Sequence, residues 1–199
     1  VGQGVILGNA EEELIAFLEK GGIPFGSTIL GLSAVPTDHP LNMGMLGMHG
    51  NVSPNIKTNE CDVLIAIGMR FDYRVTGDLK TCAKQAKVIH FDIDPAELDK
   101  NVKTTVKVVG DAKQTLPLVT KQMEQRAHPE WLAEFDTYYQ KEYDHIIKKE
   151  LYPESGEIKM GEVVHKVTEA TNNEAICVTD VGQHQMMSTR YFKYTKSRS

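Results

Sequence analysis

The stretch that decides the fold is residues 63–68, VLIAIG, an unbroken apolar run closed by a glycine. A run without polar alternation is typical of a strand buried on both faces, as in a parallel sheet covered by helices. Residues 88–93, VIHFDI, form a second such run, which Asp94-Pro95 stops, and residues 106–109 form a third. With helical stretches between them, these strands predict an α/β fold with a Rossmann-like parallel sheet flanked by helices.

The segment before these strands carries a helix pattern. Asn9 followed by Glu12 predicts an N-cap and N3 pair, and the helix is expected to run through Lys20 and end at Gly21-Gly22. Its apolar face is predicted to carry Leu14, Phe17 and Leu18. After the third strand, Gly110-Asp111-Ala112 predicts the start of a second helix that runs to about Gln125.

The character of the chain changes near His128-Pro129, where a charged helix is predicted to run to about Tyr152-Pro153. A further amphipathic helix is predicted with one apolar face made of Met160, Val163, Val164, Val167 and Ala170. Residues 175–178 are predicted as the first strand of a second α/β unit. The predicted organisation is therefore a nucleotide-binding domain at 1–125, a linker helix at 126–156 and the start of another domain at 157–199.

Bulk properties exclude some classes of protein. The 199 residues carry a net charge of −5, which argues against a nucleic-acid surface, and no apolar run approaches the roughly 20 residues of a membrane span. Cys61, Cys82 and Cys177 form no C-x-x-C pair, which favours reduced thiols and a cytoplasmic location. Residues 1–5 resemble the end of a strand running into a glycine turn, so we expect an internal fragment of a longer protein.

Glycines follow several of the predicted strands. In open parallel sheets, ligands lie at the carboxyl ends of the strands, where glycine turns expose backbone N–H groups to phosphates. Gly2, Gly4, Gly68 and Gly110 fit such a site, and an acidic residue at a strand end, here Asp92, is the usual partner of ribose hydroxyls. A complete G-x-G-x-x-G fingerprint is missing, because Leu7 stands at the third position. Taken alone, the glycines favour ordinary turns.

Three further segments have residues suited to ligand binding. Arg70 and Arg74 beside a glycine turn would suit diphosphate oxygens or a carboxylate, although a solvated loop with local Arg–Asp pairs fits the spacing equally well. Met43, Met45 and Met48, interleaved with glycines and followed by His49, predict a loop that lies against a flat ligand or fills the core. Residues 180–185, DVGQHQ, would place donors near a diphosphate or form an ordinary strand-to-helix turn.

In this order, the segments closely resemble acetolactate synthase large subunits, over essentially the entire chain. The specific motifs are residues 46–50, LGMHG, and residues 70–77, RFDYRVTG, in which Tyr73 stands where the family commonly has an aspartate. The resemblance implies the middle, FAD-binding domain of a three-domain thiamine-diphosphate enzyme and the beginning of its diphosphate-binding domain. FAD in this family is not needed for net redox chemistry.

The resemblance also implies cofactor contacts. The FAD contacts would be Gly2, Gly4, Thr28, Leu46, Gly47, Met48, His49, Gly68, Met69, Arg70, Asp72, Arg74, Val75, Asp92, Ile93, Gly110 and Asp111. Thiamine diphosphate would contact Val181, Gly182, Gln183 and His184. Met48 and Arg74 would face the entrance to the reaction site, where Arg74 could meet a substrate carboxylate. No catalytic residue and no Mg²⁺ ligand is expected within these 199 residues, because the activating glutamate and the metal ligands belong to other parts of the family's chain.

The implied reaction joins two pyruvates, or pyruvate and 2-ketobutyrate, with loss of CO₂, in the biosynthesis of valine and isoleucine. FAD, thiamine diphosphate and Mg²⁺ are the implied cofactors. The implied assembly is a homodimer or homotetramer with a regulatory small subunit, and the fragment alone is expected to be inactive. Three alternatives stay open at this point: another carboligase or decarboxylase such as glyoxylate carboligase, a nicotinamide-dependent oxidoreductase, and a non-catalytic nucleotide-binding module.

Overall fold

The computed structural model describes residues 1–199 and contains a parallel sheet built from two strand groups. Strands β1 (Phe25–Ser27) and β2 (Asn42–Met45) pair in parallel, and β3 (Val63–Ile67), β4 (Lys87–Asp92) and β5 (Val106–Val109) form a three-stranded parallel group. The register of the larger group aligns Ala66 with His90 and His90 with Lys107. The predicted α/β fold class is confirmed.

The segment Val1–Gly2 lies between the two groups and joins them. Val1 N donates to Gly26 O at 2.9 Å, and Thr28 N donates to Val1 O at 2.8 Å, which is the parallel pattern. On the other side, Gly2 N donates to Ile67 O at 2.9 Å. Counting this extended segment as a strand, the spatial order is β2, β1, Val1–Gly2, β3, β4, β5. That is the doubly wound order of Rossmann folds, with its reversal between Val1–Gly2 and β3.

Helices cover the sheet. The first are α1 (Gln3–Leu7), α2 (Glu11–Gly21), α3 (Val52–Glu60), the short α4 (Tyr73–Thr76) and α5 (Ala112–Thr120), with 3₁₀ turns at Ile29–Gly31 and Pro95–Glu97. The predicted apolar face of α2 is buried, and its side chains pack in one core with Val5, Ile67, Phe91 and Leu116. The main core therefore lies between the sheet and the α2–α5 pair.

Several expectations for this part were wrong in detail. Residues 3–7 form a helix instead of a glycine turn, and α2 is capped by Ala10, because Asn9 has a left-handed φ of 50° and its side chain caps nothing. Helix α5 ends at Thr120, five residues short of the predicted end, and contains Pro117. Strand β3 is buried only toward its carboxyl end, since Val63 is exposed.

The methionine-rich segment was predicted as a loop but begins as a strand. Residues 42–45 pair with β1 through an irregular register, and the glycine at position 44 has a φ of 101°. The loop proper is residues 46–51, which we call the Met48 loop. A neighbouring strand with free backbone groups therefore outweighs the low strand propensity of glycine.

The remaining helices are α6 (Pro129–Glu142), α7 (Lys148–Leu151), α8 (Met160–Ala170) and α9 (Gln183–Tyr191), with a π-turn at Tyr143–Ile147 that makes α6 and α7 continuous. The predicted helix from Pro129 to about Tyr152 is confirmed. It packs on α3, where Ser53 Oγ donates to Phe135 O at 2.9 Å. The ammonium group of Lys57, almost fully buried, pairs with Glu60 and Glu134 and lies 4.1 Å from the ring centre of Trp131.

Two expectations for the last third were wrong. Helix α8 is present, but its predicted apolar face is largely exposed, and Gly161 and Thr168 are buried instead. A Cβ at Gly161 would lie 3.0 Å from the Tyr191 ring, so the missing side chain lets α9 approach on that side. Residues 175–178 form no strand, because their backbone groups have no partner, and Val178 is 88% exposed.

A buried ion pair joins α9 to the rest of the molecule. The carboxylate of Glu142, fully buried, pairs with Arg190 through Oε1 and accepts Val52 N at 2.9 Å through Oε2. A second guanidinium nitrogen of Arg190 donates to Gly50 O at 3.1 Å. Residues far apart in sequence therefore meet at one pair of charges that connects α6, α9 and the Met48 loop.

The three cysteines are free. Burial and the nearby Asp62 carboxylate raise the pKa of the Cys61 thiol to about 11, and burial also raises the pKa of Cys82. Little reactive thiolate is therefore present at neutral pH at either position. None of the helices combines the length and the apolar composition that crossing a bilayer requires.

We expect Arg190→Gln to lower the free energy of unfolding by about 3 kcal/mol, because the mutation leaves the Glu142 carboxylate buried without its counter-charge. Urea denaturation followed by circular dichroism measures the change. The matched control is Arg126→Gln, which removes an arginine whose only carboxylate partner, Glu124, is exposed. The control is expected to leave the free energy of unfolding almost unchanged, and equal effects of the two mutations would contradict the role of the buried pair.

Candidate functional site

The candidate site lies at the carboxyl edge of the sheet, where the strand order reverses. At such a switch point the loops after two adjacent strands run to opposite faces and leave a crevice between them. Here the two segments are Val1–Gly2, which runs into α1, and β3, which runs into residues 68–72, called the β3–α4 loop below. Residues that follow β4 and β5 complete the edge.

Glycines allow the backbones to meet at this point. Gly4 N donates to Gly68 O at 2.9 Å, so α1 begins against the end of β3. A Cβ at Gly2 would lie 2.3 Å from Gly68 O, and one at Gly4 would lie 2.7 Å from Gly68 Cα. Gly68 also has a φ of 59°, which other residues rarely adopt. The G-x-G-x-x-G fingerprint is incomplete, but close packing of the two backbones explains the glycines that are present at positions 2, 4 and 68.

A cavity of about 790 Å³ opens at this edge. Its volume is in the range of cofactor sites. The wall combines residues from the start of α1, the 3₁₀ turn after β1, the β3–α4 loop, α4 and the ends of β4 and β5. The lining residues are Gln3, Gly4, Leu7, Gly8, Thr28, Ile29, Leu30, Gly68, Met69, Arg70, Asp72, Tyr73, Arg74, Val75, Phe91, Asp92, Ile93, Glu97, Gly110, Asp111 and Ala112.

The segment after β3 brings two arginines to this cavity. The Arg70 guanidinium is mostly exposed and lies 3.5 Å from the Asp72 carboxylate. Arg74 donates from Nε to the Tyr73 hydroxyl at 3.2 Å, and this hydrogen bond raises the pKa of the guanidinium. Tyr73 therefore orients Arg74 in a position where a carboxylate would pair with it directly. Both guanidinium groups are exposed and line the cavity, so an anion could reach them.

Three further carboxylates lie in the wall. Asp92 Oδ1 accepts Asp94 N at 2.9 Å, which bends the chain after β4. Asp111 caps α5 by accepting Lys113 N at 2.9 Å. Glu97 Oε1 pairs with Lys100 at 2.6 Å, while its Oε2 is buried and has no hydrogen-bond partner. An unsatisfied buried carboxylate oxygen in a cavity wall is suited to accept a hydroxyl group of a ligand.

Most of the FAD contacts implied by the sequence motifs lie in this wall. They are Gly4, Thr28, Gly68, Met69, Arg70, Asp72, Arg74, Val75, Asp92, Ile93, Gly110 and Asp111. Gly2 lies behind the wall, where it supports Gly68. The assignment of these residues to FAD stays a prediction, since the structure shows only that one cavity gathers them.

The Met48 loop lies beside the cavity and outside its wall. Met48 N donates to Arg74 O at 2.8 Å, and a Cβ at Gly47 would lie 2.6 Å from the same oxygen. Gly47 and Met48 therefore touch the backbone of the segment that carries Arg74, whereas Leu46 N donates to Ser27 O at 2.8 Å, and His49, like the other three, does not line the cavity. The Met48 side chain is 68% exposed, so it is free to contact a ligand or another surface.

The segment implied for thiamine diphosphate is separate from this cavity. Gly182 is the N-cap of α9, with Gln183 and His184 in its first turn, and Val181 before it is exposed. The Gly182 backbone is extended, with a φ of 159°. A helix start of this kind offers unpaired N–H groups to a phosphate. No group of three or more His, Cys, Asp or Glu side chains in the chain is arranged to hold a metal ion.

Several cavity residues were missed at the sequence level. They are Gln3, Leu7, Gly8, Ile29, Leu30, Tyr73, Phe91, Glu97 and Ala112. The first three belong to α1, which the sequence pattern did not predict. Exposed Ile29 and Leu30 are apolar residues in a turn, a signal that is weak without the fold. Glu97 comes three residues after Asp94, the spacing of an N-cap and an acidic first-turn residue, so its sequence context indicates only an ordinary helix start.

Together, the doubly wound sheet and the cavity at its switch point define the class of protein: a Rossmann-like α/β domain with a cofactor-sized cavity at the carboxyl edge of its sheet. Residues 1–119 match the family described as thiamine pyrophosphate enzyme, central domain. The chain belongs to this family. The predicted domain boundary near residue 125 stays a prediction.

The relatives agree with this assignment. The chain is 40% identical to the probable acetolactate synthase large subunit of Methanocaldococcus jannaschii, over 100% of the chain and 34% of that protein. It is 40% identical to the acetolactate synthase large subunit of Corynebacterium glutamicum, over 100% of the chain and 32% of the relative. It is 41% identical to the chloroplastic acetolactate synthase of Arabidopsis thaliana, over 96% of the chain and 28% of the relative. The chain thus spans about a third of these relatives' length, and the resemblance to acetolactate synthases is confirmed.

We expect Gly4→Ala to destabilise the protein by about 2 kcal/mol, because the new Cβ meets the Gly68 backbone, which cannot move without shifting β3. The matched control is Gly21→Ala, another helical glycine, whose Cβ would meet only the side-chain ends of Ile23 and Met123. Alanine is the better helix former by roughly 1 kcal/mol, so the control should be neutral or stabilising. Thermal unfolding of both variants measures the difference, and similar midpoints would contradict the close-approach argument.

Proposed function

We propose that this chain is the FAD-binding central part of an acetolactate synthase, together with the segment that begins its thiamine-diphosphate site. The observation that carries the proposal is the 790 Å³ cavity at the switch point, which gathers most of the residues implied by the family motifs. The relatives named acetolactate synthase support the activity. Since the chain spans about a third of their length, the activity is proposed for the protein that carries this sequence.

The residues of the cavity fit FAD in their chemistry. We propose that Arg70, with the backbone N–H groups of residues 69–72, which donate to no backbone carbonyl, binds the diphosphate, since guanidinium groups and exposed N–H groups are its usual partners. Asp92 and the unsatisfied oxygen of Glu97 would accept the ribose hydroxyls. Exposed apolar side chains of the wall, such as Ile93, would cover the ring systems. The flavin would then be a structural cofactor held by the central domain.

The second site is proposed at the start of α9. Gly182 and the first turn of the helix would bind the diphosphate of thiamine diphosphate through backbone N–H groups, with Gln183 and His184 as side-chain donors. When bound, that cofactor supplies the stabilisation of negative charge on carbon that the joining of two 2-keto acids requires. Arg74, oriented by Tyr73, is proposed to pair with a substrate carboxylate, and Met48 to line the entrance. Mg²⁺ would bind through residues outside this sequence.

Substrates and partners follow from the same proposal. Pyruvate, alone or with 2-ketobutyrate, would be the substrate, and the protein would form a homodimer or homotetramer, assisted by a regulatory small subunit. A cytoplasmic location belongs to the same proposal, and cell fractionation tests it. A nicotinamide-dependent oxidoreductase is the alternative with different chemistry, and titration with NADH and with FAD distinguishes the two.

For the protein that carries this sequence, we expect Glu97→Met to weaken FAD binding by about tenfold, because it removes the acceptor that has no other partner. Titration of the apoprotein followed by flavin fluorescence measures the dissociation constant. Lys100→Met is the matched control, since it breaks the Lys100–Glu97 pair but keeps the carboxylate. Saturable binding of NADH together with no binding of FAD would contradict the assignment of FAD to this cavity.

We expect the full protein to form acetolactate from pyruvate only when thiamine diphosphate, Mg²⁺ and FAD are all present. The purified 199-residue chain should form none, because it spans about a third of the length of its relatives and has no group of side chains arranged for the metal. A colorimetric assay for acetolactate, with each cofactor omitted in turn, tests both statements. If the full protein binds both FAD and thiamine diphosphate but forms no acetolactate, the assignment to the thiamine pyrophosphate enzyme family remains and the proposed acetolactate synthase activity is overturned.

A further inference from the structure

The β3–α4 loop is held in place by side chains from outside it. The N–H groups of residues 69–72 donate to no backbone carbonyl, and the carbonyls of residues 69–71 accept no backbone N–H. Instead, His90 Nε2 lies 2.7 Å from Met69 O. Asn101 Nδ2 donates to Arg70 O at 3.2 Å and to Phe71 O at 3.1 Å. Two side chains thus bind three consecutive carbonyl groups.

Core packing alone does not explain the histidine in β4. Because a carbonyl oxygen only accepts, Nε2 of His90 carries the hydrogen and Nδ1 is left as an acceptor. This Nδ1 is buried and has no partner, which is unfavourable. The ring also packs edge-on against Phe71, with centroids 5.0 Å apart and planes at 82°. A phenyl ring would keep that packing without the unsatisfied nitrogen, so the imidazole adds its hydrogen bond to the loop and an approach of Nε2 to 3.7 Å from Asp92 Oδ2.

The loop needs external support because its backbone is strained. Phe71 has a φ of 51°, an uncommon value for a bulky residue, and Gly68 has a φ of 59°. Such conformations persist where the surroundings hold them. The same loop presents Arg70 and Asp72 to the cavity, while neither His90 nor Asn101 lines it. Asn101 therefore acts on the cavity only through the loop, and His90 acts through the loop and through its approach of 3.7 Å to Asp92, a residue of the wall.

We propose that His90 and Asn101 are positioning residues that hold the β3–α4 loop in its ligand-binding conformation before the ligand arrives. The proposal rests on the proposed function for the identity of the ligand, FAD. A loop ordered in advance costs less conformational entropy on binding, so the contribution should be seen in affinity. We call the hydrogen bonds from His90 and Asn101 to the loop the clamp. Without the clamp, the carbonyls of residues 69–71 would turn toward water and Arg70 would leave the cavity wall for part of the time.

The test uses His90→Phe and His90→Gln in the full protein. We expect His90→Phe to weaken FAD binding about tenfold and to raise hydrogen exchange about tenfold at residues 74–76, whose N–H groups donate to Asp72 at the end of the loop, since one hydrogen bond that holds the loop is lost. The unliganded protein should keep its thermal midpoint, because the mutation also removes the unsatisfied Nδ1. His90→Gln, which keeps an amide donor, should restore affinity to within about threefold of the wild type.

Asn101→Leu has a matched control in Gln85→Leu. Gln85 Nε2 also bridges two carbonyls, those of Asn59 and Cys61, at 2.8 Å each, but it lies away from the cavity. Only Asn101→Leu should weaken FAD binding and speed hydrogen exchange at residues 74–76, which are bonded to the end of the loop. The proposal is overturned if hydrogen exchange is unchanged in both His90→Phe and Asn101→Leu. It is also overturned if the free energy of unfolding of the unliganded protein falls by as much as the free energy of FAD binding. If the wild-type protein binds no FAD but hydrogen exchange still rises in the two variants, the role of His90 and Asn101 in holding the loop is supported and the assignment of FAD fails.

Discussion

The close approach of two backbones at Gly4 and Gly68 is the constraint on which the rest of the structure depends. It places α1 against the end of β3 and so opens the crevice between the two halves of the sheet. Any side chain at Gly2 or Gly4 would push the first segment away from β3, and the cavity wall would lose its shared base. The cavity is thus a consequence of packing in the sheet, and its polar groups are arranged around a position that the backbone defines.

The chemistry of the edge is divided between two kinds of residue. Arg70 and Glu97 present charge to the cavity, and each has only local partners or none. His90 and Asn101 lie behind the wall and bind main-chain carbonyls. A rigid frame with unpaired groups at its surface is the general form of a preorganised binding site, because the cost of ordering is met during folding.

The last third of the chain is connected to the first part by a few buried polar contacts. The Glu142–Arg190 pair and the Lys57 cluster join helices that are distant in sequence, and burial makes each contact dependent on its partner. Sequence patterns placed α6 correctly but predicted neither α3 nor these contacts, since a charged residue on a helix is normally a solvated one. The same reason explains the apolar face assigned to α8: hydrophobic periodicity identifies a helix without identifying the neighbour that covers it.

Local chemistry in the sequence alone determined the three parallel strands β3, β4 and β5, the helices α2, α5, α6 and α8, and most of the polar groups of the cavity. Apolar runs, capping residues and strand-end glycines act over a few residues, so a linear pattern contains them. Only the tertiary structure decided the insertion of Val1–Gly2 between β1 and β3, the contribution of α1 to the wall, the pairing of the methionine segment with β1 and the clamp of His90 on the β3–α4 loop. Each of these depends on which distant backbone lies within hydrogen-bonding distance, and that is a property of the packed chain.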